Sequence, residues 1–259
     1  LSRSEAIPIE ARRAGVKWGW ETIPEYLDAI DRSLGVNVGV MIGHSAVRQW
    51  AMRGEASERD ATAQEIETMR GIVRSGLEAG ALGFSTNQNP NHIDFRGRPV
   101  PSVIAPEAEI FALAEVLGEL GVGTIQTSQP RAMVKHIAMS QRLARHTGRP
   151  VVWLSIQHRW SDPENWKTYL QMAEDGFRAG DRAYPIASPL RSNDRFNMKN
   201  CQLFDGLPTW RPIMLDTPEA KLAAFRDPAV RARLRDDAVT ATYETTFSRR
   251  WDMLFVTVP

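Results

Sequence analysis

The segment Val36–Arg48, which reads VNVGVMIGHSAVR, decides the fold class. It begins with the apolar run Val36–Ile42 and passes directly into a cluster of small and polar residues, Gly43–Arg48. Four later runs repeat this arrangement, and each is followed by a stretch with the apolar spacing of a helix. The four runs are Ala81–Phe84, Gly123–Gln126, Val151–Leu154 and Ala183–Ile186. This alternation predicts parallel βα units whose polar strand ends meet at one rim.

Helix signals lie between these runs. Thr22 and Thr62 each stand three residues before a glutamate, which is the spacing of a capping box. Pro106 predicts another helix start, and Gly80 and Gly121 predict helix ends. The spacing between successive runs therefore leaves room for one helix each, as a βα unit requires.

Chain length suggests that the barrel is incomplete. An eight-stranded barrel takes about 250 residues, yet the 259 residues contain few strand-like runs, the last being Met253–Val258. No GxGxxG or GxxxxGK(S/T) motif follows a strand, which argues against a nucleotide-binding open sheet. We predict an α/β fold, an incomplete TIM-like (β/α) barrel, as a single domain over 1–259. Residues 1–17 are predicted to be an irregular lead-in and 188–250 an irregular or helical excursion, with truncation expected at both ends.

Composition narrows the class of partner. The net charge of +1 gives no reason to expect a nucleic acid, and no apolar stretch approaches the roughly 20 residues of a membrane span. The single cysteine, Cys201, excludes an internal disulfide and favours a reducing, cytoplasmic location. A small-molecule substrate is the expected partner, and the sequence predicts no oligomeric state.

Six residues are candidates for the rim. His44 and His158 follow the first and fourth runs, where a barrel carries its catalytic groups, and a structural hydrogen bond is the alternative for each. Arg48 can reach a carboxylate from the first turn of a helix. Ser85, Ser128 and Gln157 complete the set as substrate-binding residues, because a serine at a strand end is more often a hydrogen-bond partner than a nucleophile. The chain has no HxH, HExxH, CxxC or GxSxG motif.

Several motifs together resemble one family, the N-acyl-D-amino-acid deacylases, or D-aminoacylases, of the amidohydrolase superfamily. The resemblance covers the chain from about Ala14 to its end. It rests on Trp18–Thr22, Gly43–Arg48, Gly80–Thr86, Phe204–Trp210 and Asp227–Arg231, in that order.

The resemblance implies a TIM-like barrel that hydrolyses an amide with zinc-activated water. With the strand-end positions given above, we expect His44 to be the catalytic residue and His158 the metal ligand, with a metal-free site as the alternative. Two positions where the family usually has a histidine carry Ser128 and Ile156 instead, and serine is a poor zinc ligand. The ligand pair of the first strand and the aspartate general base of the last strand are expected beyond the ends of this chain.

These observations leave three functions open. The first is a metal-dependent hydrolase of non-peptide C–N bonds that deacylates an N-acyl amino acid or a related amide. The second is an inactive or repurposed barrel that binds a small acylated ligand, which the substitutions at Ser128 and Ile156 favour. The third is a cyclic-amide hydrolase of the same superfamily.

Overall fold

The fold is described from a computed structural model, which covers residues 7–32, 34–94, 96–129, 132–159, 162–187, 195–241 and 250–256. Within these residues one parallel sheet has five strands in the order β1-β2-β3-β4-β5. The strands are β1 (Met41–Gly43), β2 (Gly83–Asn87), β3 (Thr124–Ser128), β4 (Val151–Ile156) and β5 (Ala183–Ala187). Each strand pairs with its neighbour in the chain, which is the order of a (β/α) barrel and confirms the predicted fold class.

Helices connect the strands as predicted. In chain order they are α1 (Ile9–Gly15), α2 (Ile23–Ile30), α3 (His44–Met52), α4 (Ala63–Glu78), α5 (Glu107–Leu120), α6 (Met133–Thr147), α7 (Asn165–Arg178), α8 (Trp210–Met214), α9 (Pro218–Arg226) and α10 (Pro228–Thr240). The capping boxes predicted at Thr22 and Thr62 are both formed. Gly121 ends α5 in the left-handed conformation that a glycine adopts without a steric penalty.

The two faces of the sheet differ in burial. The helix-covered face carries the main core, in which Ile42, Phe84, Ile125 and Trp153 are fully buried. Residues that alternate with these point to the opposite face and are buried only in part. We call this second side the open face. A parallel sheet is normally covered on both sides, so the open face is the one that corresponds to a barrel interior.

A second core lies in the C-terminal helical region. Its buried members include Phe204, Leu207, Met214 and Ala238, and Trp210 stacks on Phe204 with ring centroids 4.3 Å apart. These residues fall within the predicted excursion 188–250, of which 195–241 is described and largely helical.

Three sequence predictions need correction. Residues 1–17 were expected to be irregular, but α1 occupies Ile9–Gly15. The run Val36–Ile42 contributes only its end to β1, because β1 lies at the sheet edge and Val36 is 74% exposed there. Met253–Val258 was predicted as a strand. Its described part begins in the 3-10 helix Trp251–Met253, and Leu254 packs against the second core instead of joining the sheet. Within the described ranges, the search for a membrane-spanning helix finds none.

Candidate functional site

The carboxyl ends of the strands meet at one edge of the sheet, which we call the rim. Ser85 lies between Gly43 of β1 and Gln126 of β3 in the register of the sheet. One step further along, Asn87 pairs with Ser128, which in turn pairs with Leu154 of β4. The predicted binding residues Ser85 and Ser128 therefore lie on neighbouring strands near the same edge.

Side chains at the rim alternate between the two faces of the sheet. The partly buried set points to the open face and includes Ser85, Asn87, Gln126 and Ser128. Leu154 lies beside Ser128 on the same face. This arrangement sets hydroxyl and amide groups next to apolar surface, a combination that suits an amide bearing an apolar acyl group.

His44 lies on the other side of the sheet. It is the first residue of α3, it is 1% exposed, and its ring packs against Phe84 at 5.3 Å. Its Nε2 lies 2.8 Å from Glu109 Oε1, and its Nδ1 lies 2.8 Å from Thr86 Oγ1. Burial lowers the pKa of His44, an effect that the hydrogen bond to Glu109 opposes. His44 therefore lies between the sheet and its helices. Its catalytic role remains a prediction from the sequence.

The bonding partners fix the tautomer of His44. The Glu109 carboxylate only accepts, so Nε2 carries the proton and Nδ1 accepts from the Thr86 hydroxyl. Thr86 Oγ1 in turn accepts from Gln88 Nε2 at 2.6 Å. The order carboxylate, imidazole, hydroxyl resembles a nucleophilic triad. However, Thr86 is only 4% exposed and faces the core, so a substrate on the open face does not reach it.

Arg48 is fully buried one turn after His44. Its Nε lies 3.2 Å from Glu109 Oε1, and its remaining nitrogens donate to the carbonyl oxygens of Pro101 and Arg59. The guanidinium that was predicted to bind substrate therefore has carboxylate and carbonyl partners inside the protein. Its charge balances that of Glu109, which is required when a carboxylate is buried.

The long segment after β2 is tied to the start of α3. Ser102 Oγ donates to the Asn87 carbonyl at 2.8 Å and accepts from Ser45 Oγ at 2.9 Å. The Ser102 amide also donates to Ser45 Oγ at 3.1 Å. Both ends of this segment are thereby joined beside the rim. Its tip is held as well, because Arg211 of α8 donates to the Gly97 carbonyl at 2.7 Å.

The described residues do not fit a zinc site. Gln157 and His158 directly follow β4, the strand whose end was predicted to carry them. Within the described ranges, no group of three or more His, Cys, Asp or Glu side chains could hold a metal ion. The neighbouring positions Ser128 and Ile156 carry no imidazole, which accounts for the missing donors.

Two residues of the hydrogen-bond network around His44, Glu109 and Thr86, were not predicted from the sequence. Glu109 stands in the first turn of α5, where an acidic residue is normally explained by the helix dipole. The burial of Glu109 could have been inferred from its position directly before Ile110, inside the apolar stripe of that helix. Thr86 could have been found from strand alternation, which places it on the same face as the buried Phe84.

A cleft of about 590 Å³ opens away from these residues, in the C-terminal helical region. Trp210, Phe225 and Trp251 form its aromatic wall, and Arg231 and Arg235 of α10 border it. None of its lining residues belongs to the rim.

Comparison with known proteins adds a family to this geometry. The sequence model of the amidohydrolase family matches residues 6–247. An N-acyl-D-glutamate deacylase of Alcaligenes xylosoxydans xylosoxydans is 30% identical over 217 residues, which are 80% of this chain and 40% of that protein. A D-aminoacylase of the same organism is 34% identical over 80 residues, 30% of this chain and 16% of its own length. The chain thus spans about 40% of the length of the first of these relatives.

Solved structures agree on the fold. A crystal structure of a D-aminoacylase superposes with a TM-score of 0.56 at 24% identity, over 71% of this chain and 38% of that chain. An N-acyl-D-glutamate deacylase of Bordetella bronchiseptica, solved with zinc and a phosphonate inhibitor, superposes with a TM-score of 0.51 at 22% identity. That match covers 67% of this chain and 35% of the other. The five-stranded sheet therefore matches part of an amidohydrolase barrel.

Proposed function

Because the chain belongs to the amidohydrolase family, we propose that it takes part in the hydrolysis of a non-peptide C–N bond, the amide of an N-acyl amino acid. The observation that carries this proposal is the family match over 6–247 together with 30% identity to an N-acyl-D-glutamate deacylase. An N-acylated D-amino acid is accordingly the substrate class we propose.

The rim supports the binding half of this function. Ser85, Asn87 and Ser128 offer hydrogen-bonding groups toward the open face, and Leu154 offers apolar surface beside them. An amide with a short acyl chain has matching polar and apolar parts. Gln157 and His158, at the end of β4, are proposed to line the same space.

Zinc is the metal that the family resemblance implies, but the described residues do not form its site. We therefore assign no chemical step to a metal held by these residues. The same observation favours a second candidate, a barrel that binds a small acylated ligand without hydrolysing it. A cyclic-amide hydrolase is the third candidate and shares the family match.

A substrate panel with metal analysis separates the three. The protein, expressed with its complete reading frame, is assayed for amine release from N-acetyl-D-glutamate, N-acetyl-D-leucine, their L-enantiomers and hydantoin. Bound zinc is measured on the same preparation. We expect hydrolysis of the N-acetyl-D-amino acids and at least one tightly held zinc per chain, because the family chemistry uses a metal-activated water.

Each alternative has its own result. Hydrolysis of hydantoin alone would favour the cyclic-amide hydrolase. Saturable binding of an N-acetyl-D-amino acid without amine release, together with less than one zinc per chain, would favour the binding protein and overturn the hydrolase.

A further inference from the structure

The start of α3 makes contacts that a simple helix start does not need. His44, Ser45 and Arg48 are all hydrogen-bonded to parts of the segment from Thr86 to Ser102. We call this segment, in its described parts 86–94 and 96–102, the β2 loop. The contacts join the start of α3 to residues at both ends of the loop.

One set of contacts is a directional chain of hydrogen bonds. It runs from Gln88 Nε2 to the Thr86 hydroxyl, then to His44, and ends at Glu109 of α5. In this order each group donates to the next, so the chain connects the side chain of Gln88 with Glu109. Arg48 stabilises the far end through its 3.2 Å contact with Glu109.

The second set closes the loop at its base. Ser45 and Ser102 are joined by two hydrogen bonds, and Ser102 holds the carbonyl of Asn87. Arg48 holds the carbonyl of Pro101 at 3.2 Å. Asn87 pairs with Ser128 in the sheet, so this closure holds the carbonyl of a residue at the rim.

We propose that a positioning device fixes the β2 loop, and with it Asn87, over the rim. The device consists of His44, Thr86, Glu109, Arg48, Ser45 and Ser102. His44, Thr86 and Glu109 are buried on the helix-covered side of the sheet, so in this proposal His44 is a positioning residue and not the catalytic residue predicted from the sequence. They act through the backbone and side chain of Asn87 and Gln88. Only the effect of this device on turnover rests on the proposed function, because its effect on the loop is independent of any activity.

The sheet provides a matched pair of variants for the test. Thr86 and Thr127 are directly paired on neighbouring strands, and both are buried on the same face. The Thr86 hydroxyl bonds toward the loop, whereas the Thr127 hydroxyl bonds to Ser140 and His136 of α6. Thr86→Val and Thr127→Val therefore each remove one buried hydroxyl with little change of volume, and only the first releases the loop.

Two readouts follow the loop directly. Hydrogen exchange of 86–94 and 96–102 is compared in the wild-type protein and both variants, together with the rate of tryptic cleavage after the exposed Arg96. Arg98 precedes a proline and resists trypsin, so it does not confuse the cleavage pattern. We expect Thr86→Val to speed exchange and cleavage severalfold and Thr127→Val to leave both at the wild-type rate, with similar melting temperatures for the two variants.

The outcomes separate this proposal from the proposed function. If Thr86→Val leaves the loop as protected as in the wild type, or if both variants loosen it equally, the positioning device is wrong, whatever the activity. Should Thr86→Val fail to fold, Ser45→Ala provides the same comparison against Ser140→Ala. In a wild-type protein that hydrolyses N-acetyl-D-amino acids, Thr86→Val is further expected to raise KM more than it lowers kcat. If the wild type lacks hydrolysis, the exchange result still decides.

Discussion

At the residue scale, the buried pair of Arg48 and Glu109 makes the sharpest stability prediction. Both side chains are inaccessible to solvent, so Arg48→Met leaves a carboxylate buried without its counter-charge. We expect a loss of about 3–5 kcal/mol in the free energy of unfolding, measured by denaturant titration. The double variant Arg48→Met with Glu109→Gln should recover a large part of that loss, because it removes the uncompensated charge. A single-variant loss below about 1 kcal/mol, the range of an exposed ion pair, would show that the pair is not buried as described.

The buried histidines predict how stability depends on pH. Burial lowers the pKa of His136 to about 4, and a hydrogen bond from the imidazole to the backbone of Thr127 opposes this only in part. An unfolded chain takes up the proton near pH 6.5, whereas the folded chain does not, so stability falls as the pH drops from about 6.5 toward 4. The lowered pKa of His44 acts in the same direction.

His136→Gln should therefore reduce the loss of stability across this pH window, by at most about 3 kcal/mol. The measurement is denaturant unfolding at a series of pH values. His146→Gln is the control, since His146 lies in the same helix with a side chain that is 45% exposed. An equal change in the pH profile of both variants would contradict the burial of His136.

The sequence predicted the positions of the site residues along the strands better than the directions of their side chains. His44, Ser85 and Ser128 were predicted at the carboxyl ends of strands and lie there. The face toward which His44 points was not predictable, because a residue just after a strand belongs to neither face until the helix that follows is oriented. Glu109 is far from His44 in sequence, and only the packing of α5 brings the two together.

At the scale of elements, two glycines in helices predict opposite effects of the same substitution. Gly71 of α4 has open space around the position of a Cβ atom, so Gly71→Ala should stabilise the protein by roughly 1 kcal/mol through helix propensity. Gly118 of α5 faces the backbone of Thr147 in α6, where a Cβ would lie 2.7 Å from the carbonyl oxygen. Gly118→Ala should cost about 1–3 kcal/mol by forcing the helices apart.

Thermal melting checks this pair of variants. A change of 1 kcal/mol shifts the melting temperature of a chain of this size by about 2–4 °C, so an increase for Gly71→Ala and a decrease for Gly118→Ala are expected. Equal shifts in the same direction would mean that α5 and α6 are not in close contact at this point.

Elements whose signals are local were predicted well. The capping boxes at Thr22 and Thr62 depend only on residues three positions apart, and both are present. The strand predicted over Met253–Val258 was wrong in its described part because strand formation needs a neighbour to pair with. Apolar residues alone do not specify that neighbour, and Leu254 instead packs against the second core.

At the scale of the whole molecule, the sequential parallel order of five strands is the feature on which the proposed function depends. It brings the polar ends of β2, β3 and β4 to one rim, and it agrees with the partial match to amidohydrolase barrels. The alternation of apolar runs and helices was enough to predict this order, since right-handed βα units leave few other arrangements. The metal ligands did not follow from that order, because they depend on single residues such as Ser128 and Ile156.

The most direct test is a hydrogen-exchange footprint of the protein with and without saturating N-acetyl-D-glutamate. We predict protection at the carboxyl ends of β2, β3 and β4, in residues 85–88, 126–129 and 155–158, because bound ligand orders the backbone that it contacts. Protection confined to the aromatic cleft around Trp210 and Trp251, with none at these strand ends, would contradict the location of the site.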